Sequence, residues 1–189
     1  MCCRFLFGLE DDEELYGYVE KMEIMYRKLY PSIPFPRGEI FPSDTVCVYL
    51  QKEGKITLQN MKWGFSSSLS KDLIINAKSE TLKERVMFKN ILGNRCVILA
   101  NAFFEWSQDA SHQKYIFRRK KEPIYLAGLY KEDHFVIITK EACGVMKDIH
   151  SRMPLILEAK DVKNYLLGDN FFNSNYINNN PPLRKEICL

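Results

Sequence analysis

Apolar positions alternate between strand-like runs and one clear helical stripe. Arg4-Phe5-Leu6-Phe7 reads as a short strand, and Leu15, Tyr18, Val19, Met22, Met25 and Leu29 then recur every three to four residues up to Pro31. That spacing predicts an amphipathic helix, with Asp11 and Glu14 ahead of it at capping-box distance. Pro31, Pro34 and Pro36 predict an extended connection. The β-branched run Thr45 to Leu50, the turn Lys52-Glu53-Gly54-Lys55 and Ile56-Thr57-Leu58 predict a hairpin. Met61 to Phe65 ends in three serines, and Ile74-Ile75 delivers Asn76 at a strand end, where Ser79 and Glu80 open a predicted helix with Leu82, Val86 and Leu92 on one face. Arg95 to Ala100 and Ala102 to Trp106 predict strands around a bulge at Asn101. Lys114 to Phe117 and Ile124 to Leu129 predict a strand pair joined by Arg118-Arg119-Lys120-Lys121, whose charge run is that of a solvated hairpin tip. His134 to Thr139 is a further β-branched strand, and Val162, Tyr165 and Leu166 predict a last short helix ending at Gly168. The Asn-rich stretch 170–180 and Pro181-Pro182 predict an irregular tail.

Strands outnumber helices, so the fold class is α+β, with one domain over residues 1–168 and an irregular tail over 169–189. A chain of 189 residues with 46% hydrophobic residues supports one such domain with its own core. The net charge of +3 leans only mildly toward polyanionic partners. Cys2, Cys3, Cys47, Cys96, Cys143 and Cys188 show no Cys-x-x-Cys pair, which argues against a zinc site and against a disulfide framework. No apolar run approaches the roughly 20 residues that span a bilayer, and no basic segment with an apolar core opens the chain. The expectation is a cytoplasmic, monomeric protein with no metal, no membrane partner and, without a P-loop or dinucleotide fingerprint, no cofactor.

Candidate chemistry begins at the first residues. A start methionine followed by cysteine is readily trimmed, which would put a thiol and a free α-amine on Cys2. Unperturbed, these have pKa values of about 8.5 and about 8, so both reactive forms exist near neutrality. The natural partner of such a 1,2-aminothiol is an aldehyde: the amine gives an imine, the thiol adds, and a thiazolidine closes. Glu105 is crowded by Phe103, Phe104 and Trp106, which predicts a part-buried carboxylate with a raised pKa, either catalytic or paired with an arginine. His150 lies in the turn Ile149-His150-Ser151-Arg152-Met153-Pro154, where it could satisfy backbone groups or donate a proton. Asn76 is either a cap residue or an amide that holds a ligand. Trp63 is either a core aromatic or a stacking surface for a base.

Cys2, Trp63-Gly64, Asn76-Ala77-Lys78-Ser79-Glu80-Thr81, the segment Arg95 to Trp106, Ala127-Gly128-Leu129-Tyr130 and His150-Ser151-Arg152-Met153-Pro154 together resemble, in order and spacing, the motifs of the SOS response-associated peptidase (SRAP) family. The resemblance implies a barrel-like antiparallel or mixed sheet with a few flanking helices. It also implies capture of abasic sites in single-stranded DNA as a thiazolidine crosslink to Cys2, in the DNA damage response and at the nucleoid. By motif, Asn76 would position the sugar and the Cys2 amine, Glu105 would move protons, and His150 would act on the sugar oxygen. Trp63, Lys78, Arg152 and Arg4 would hold bases and phosphates. Cys3 stands where the family has glycine, and Lys78 where it has arginine. Two rival readings are an N-terminal-nucleophile cysteine hydrolase and a non-covalent single-stranded DNA-binding module.

Overall fold

The computed structural model describes residues 2–8, 15–67, 71–168 and 174–188. In chain order the elements are β1 (Arg4–Phe7), α1 (Tyr16–Leu29), β2 (Gly38–Ile40), β3 (Thr45–Lys52), β4 (Lys55–Trp63), β5 (Asn76–Lys78), α2 (Val86–Lys89), β6 (Arg95–Ala100), β7 (Ala102–Trp106), β8 (Lys114–Arg118), β9 (Ile124–Lys131), β10 (His134–Glu141), β11 (Arg152–Pro154), β12 (Ile156–Leu157), α3 (Ala159–Leu167), α4 (Ser174–Asn178) and β13 (Arg184–Ile187). The α+β, strand-rich architecture is the one expected.

One sheet runs β11-β10-β4-β3-β6-β9-β12, and a further pairing of β10 with β9 closes its middle into a ring. The ring is a mixed sheet and not a strict barrel, because β10 meets β4 in parallel over only two residue pairs, His134 with Lys62 and Phe135 with Trp63. The β3–β4 hairpin turns through Glu53 and Gly54, both at positive φ (51° and 75°), the backbone that a two-residue turn between twisted strands requires. A second sheet, β13-β8-β7-β1-β2, lies across the ring. The chain changes sheets at Asn101, which is buried and donates its backbone N–H to the Leu6 carbonyl at 2.9 Å. Phe5 faces inward from β1, with its ring centroid 5.1 Å from that of Trp63, and this contact joins the two sheets in one core. The stripe of α1 that faces the core is Leu15, Val19, Met22 and Tyr26, whereas Tyr18 and Leu29 stay exposed. The capping pair Asp11 and Glu14 lies outside the described residues.

Three expectations are corrected. The helix predicted from Ser79 is a 3-10 turn (Ser79–Thr81) and the four-residue α2, separated by Arg85 in an extended conformation (φ −76°, ψ 120°). Leu82 and Phe88 are the side chains that turn inward, which leaves Val86 on the surface. The strands on either side of the basic run at 118–121 do not pair as the expected hairpin, because β8 lies between β7 and β13 in the second sheet whereas β9 pairs with β6, β10 and β12. Nor is the run wholly solvated, because the Arg119 side chain is only 6% exposed and pairs with Glu122 at 3.0 Å and Glu158 at 2.8 Å. The tail is not irregular throughout. The buried Lys140 donates to the carbonyls of Ile177 (2.8 Å) and Asn179 at the end of α4, and β13 adds an exposed, charged edge strand to β8. Neither device leaves a periodic apolar signal, since both rest on hydrogen bonds to the backbone made across the fold, one set from the Lys140 side chain and the other from the β8 ladder. Among the described residues no helix is long and apolar enough to cross a membrane.

Candidate functional site

β1 is a central strand, flanked by β2 and β7, so the residue that precedes it is held by a rigid element. Cys2 is wholly buried there. Its carbonyl accepts the Asn76 side-chain N–H at 2.9 Å. Asn76 opens β5, which runs parallel to β10 with Asn76 opposite Ile137, so this one hydrogen bond ties the start of the second sheet to the ring. The Asn76 Oδ1 is buried and accepts no hydrogen bond among the described residues. Burial, and after it the Glu105 carboxylate, push the Cys2 thiol well above its ordinary range, and the same two causes raise Cys3. The small thiolate fraction that an unperturbed thiol would keep near neutrality, expected from sequence, is therefore suppressed, and the Cys2 thiol needs a base to become a nucleophile.

The register of β1 on β7, Arg4 opposite Phe104, brings the residues ahead of Arg4 alongside Glu105. Glu105 is 3% exposed, and its Oε1 accepts the Trp106 backbone N–H at 3.3 Å. His150 occupies the turn before β11, where its Nδ1 accepts the Arg152 backbone N–H at 2.8 Å. An Nδ1 used as an acceptor places the proton of the neutral ring on Nε2. Burial lowers the His150 pKa, and the nearby Glu105 charge opposes that shift. Glu105 thus acts electrostatically on both Cys2 and His150, and Cys3, Arg4, Glu105, Trp106 and His150 line one cleft of about 500 Å³. Glu105 and His150 present a carboxylate and an imidazole N–H to a cleft whose lining includes Cys3, with the buried Cys2 directly before it in the chain, and groups of this kind can exchange protons with a bound carbonyl compound.

The cations expected to hold DNA differ in how they are placed. Lys78 is exposed at the end of β5 and lines a second cleft of about 510 Å³ with Asn76, Arg85, Val86 and Met87. The Arg4 guanidinium stacks between the rings of Phe41 (4.5 Å) and Trp106 (5.2 Å) and pairs with Glu39 at 3.3 Å. Arg152 is engaged by Glu80.

Trp63 is not at this surface. It is wholly buried, its indole N–H donates to the Ile75 carbonyl at 3.0 Å, and it stacks on Phe135 at 6.2 Å and 8°. A ring enclosed by Phe5, Phe135 and backbone cannot stack on a base, so the core reading holds and the base-binding expectation falls. Trp63→Phe is expected to lower stability by about 1–3 kcal/mol, through lost volume and one lost hydrogen bond to the Ile75 carbonyl, which keeps the Ile137 N–H. Single-stranded DNA affinity should stay within about twofold. Thermal melting beside a binding titration checks this, and a selective loss of affinity at unchanged stability would return Trp63 to the interface.

Three positioning residues escaped the sequence reading. Gln108 accepts the Ser151 N–H at 2.9 Å through Oε1 and donates its own backbone N–H to Ile149 at 3.1 Å, which stitches the loop after β7 to the His150 turn. Thr139 accepts an Arg152 N–H through its carbonyl at 2.8 Å, and Glu80 forms a two-toothed bridge to the same guanidinium. Glu80 stood within a quoted motif but read as a helix start, and the only sequence signal of Gln108 and Thr139 was proximity to other elements of the site.

Comparison with known proteins identifies the family and the fold. The family model for SOS response associated peptidase (SRAP) matches residues 1–179. The chain is similar to abasic site processing protein YoaM of Bacillus subtilis, with 33% identity over 156 residues that cover 70% of this chain and 69% of that protein. It is also similar to abasic site processing protein YedK of Escherichia coli, with 26% identity over 179 residues that cover 88% and 79% of the two chains. A crystal structure of a Bordetella bronchiseptica protein superposes with a TM-score of 0.75 at 19% identity over the whole of both chains, which is a likeness of fold.

Proposed function

Because the chain belongs to the SOS response associated peptidase family, we propose that it processes abasic sites in single-stranded DNA, in the DNA damage response, by trapping the ring-opened deoxyribose on Cys2. The observation that carries this reading is the convergence on one buried residue of an amide from the ring, on the Cys2 carbonyl, and a carboxylate from the second sheet. An abasic sugar supplies the aldehyde that a 1,2-aminothiol consumes.

Removal of Met1 frees the Cys2 α-amine. The amine adds to C1′ of the open sugar, and loss of one water leaves an imine. Addition of the Cys2 sulfur to the imine carbon then forms the C–S bond, and the thiol proton ends on the former imine nitrogen. The net change is aldehyde plus aminothiol to thiazolidine plus water. Each residue has a task in this sequence. Asn76 fixes Cys2 through its carbonyl and offers Oδ1 as an acceptor for the amine or a sugar hydroxyl. Glu105 accepts and returns protons as the closed sugar opens and as the buried thiol ionises. His150, with its N–H on Nε2, donates to the sugar oxygen that leaves C1′. Lys78 and Arg4 supply cations along the strand, and Arg152 adds a phosphate-shaped fork.

The test is incubation with a single-stranded oligonucleotide that carries one abasic site, followed by heat and detergent. A surviving adduct supports this reading; turnover of peptides without an adduct would favour an N-terminal-nucleophile hydrolase, and salt-reversible binding alone would leave a non-covalent module. Intact mass should show that crosslinking-competent protein begins at Cys2, because retained Met1 blocks the amine. An active sample with Met1 in place would overturn the aminothiol mechanism.

A further inference from the structure

Arg152 is the most tightly engaged of the site's cations. Its Nη1 meets Glu80 Oε1 at 2.7 Å and its Nη2 meets Oε2 at 2.9 Å, the paired geometry in which a guanidinium grips a carboxylate or a phosphate. Nη2 also donates to the Thr139 carbonyl, Nε is buried without an acceptor among the described residues, and the side chain is only 15% exposed. The open edge of the fork is thus filled by one carboxylate. Glu80, in contrast, is 48% exposed, and the hydrogen bond from Arg152 is the main cause that holds its pKa below the ordinary carboxylate value. It rides on the short 3-10 turn Ser79–Thr81, directly after the strand that carries Asn76 and Lys78.

We propose that Glu80 is a specificity-determining gate, a carboxylate placeholder that a DNA phosphate must displace from the Arg152 fork before the strand can seat beside Cys2. This rests on the single-stranded DNA reading above. The exchange is well matched, because one anion replaces another on the same two N–H groups, so Arg152 is never left without a counter-charge. The departing carboxylate is already half in water and enters it without further desolvation. Only the Glu80 end of the pair is half-exposed, so the carboxylate can leave for water while the phosphate takes its place on the largely buried guanidinium, and the need to displace it lowers affinity for every strand by a constant factor. Intact single strands then leave quickly, whereas a strand with an abasic site is retained by the covalent step. The gate thus limits how long intact strands occupy the site that a strand able to react would use.

The test is a fluorescence-anisotropy titration of an intact single-stranded oligonucleotide at low and at physiological salt, with wild type, Glu80→Gln, Arg152→Ala, the double variant and Glu84→Gln. Glu84 is an exposed neighbour, and its variant reports what the loss of any nearby negative charge does. Glu80→Gln should bind about three- to tenfold more tightly than wild type at low salt, and Glu84→Gln less than twofold more tightly. The gain should vanish in the Arg152→Ala background, which a general charge effect would not do. Wild-type binding with no improvement, or a loss, in Glu80→Gln overturns the gate alone and makes Glu80 an anchor for Arg152. Absence of binding by both proteins overturns the single-stranded DNA reading, and the gate with it.

Discussion

Cys2→Ala should form no heat- and detergent-stable adduct with an abasic oligonucleotide while binding the intact strand within a few-fold of wild type. The argument is one of valence. Alanine keeps the α-amine and can reach the imine, but nothing adds to the imine carbon, so the product stays hydrolysable and is trapped only by a reducing agent. Binding should persist because the Cys2 side chain is wholly buried and the groups proposed to meet the strand, Lys78, Arg4 and Arg152, are untouched. Cys2→Ser makes the same point more stringently, since a hydroxyl of similar size occupies the site and is a far weaker nucleophile. Denaturing gels with and without borohydride reduction read both species. Normal crosslinking by Cys2→Ala would move the reaction elsewhere, first to Cys3, which lines the same cleft.

Glu105→Gln should slow adduct formation at saturating protein by at least about tenfold, a floor set below the 10²–10⁴-fold typical of general acid–base help, with affinity for intact single strands hardly changed. The abasic sugar is mostly a closed hemiacetal, so opening it requires a proton to leave the C1′ hydroxyl and one to reach the ring oxygen. Glutamine keeps the shape and the Oε1 contact to the Trp106 N–H but cannot carry that proton. The direction is informative, because the Glu105 charge also raises the Cys2 thiol. Were suppression of the thiolate its main effect, its removal would lower the thiol pKa and make the reaction faster. A slower reaction selects the proton-transfer role, a faster one selects the electrostatic role, and an unchanged rate makes Glu105 structural and leaves proton transfer to His150. His150→Ala run beside it should show a loss of the same kind, because the His150 ring carries its proton on Nε2 and has its Nδ1 tied to Arg152.

Much of the fold was legible because local signals and global structure agreed. The β3–β4 hairpin, the strands β6 to β10 and the helix α1 were each announced by turn residues or by periodic apolar positions. The failures fall where a long-range partner overrode local preference. Glu80, which reads as the first turn of a helix, is drawn to Arg152, seventy-two positions away in the sequence. Arg119, one of four consecutive cations, is buried by two glutamates. The tail, poor in apolar periodicity, is ordered by Lys140 and by the open edge of β8.

The chemistry proposed for this protein was legible in sequence: a cysteine behind methionine becomes a 1,2-aminothiol once that methionine is removed, and an aldehyde is the natural partner of such a group. Sequence also supplied the ordered motifs that place the chain in its family. Only the tertiary structure decided which of the polar residues reach that cysteine. It brings Asn76 and Glu105 to Cys2 from different sheets, withdraws Trp63 into the core, and closes Arg152 with Glu80. The physical reason is that side-chain type is a local property, whereas burial, hydrogen-bond partners and the resulting pKa shifts depend on what the fold brings from elsewhere in the chain.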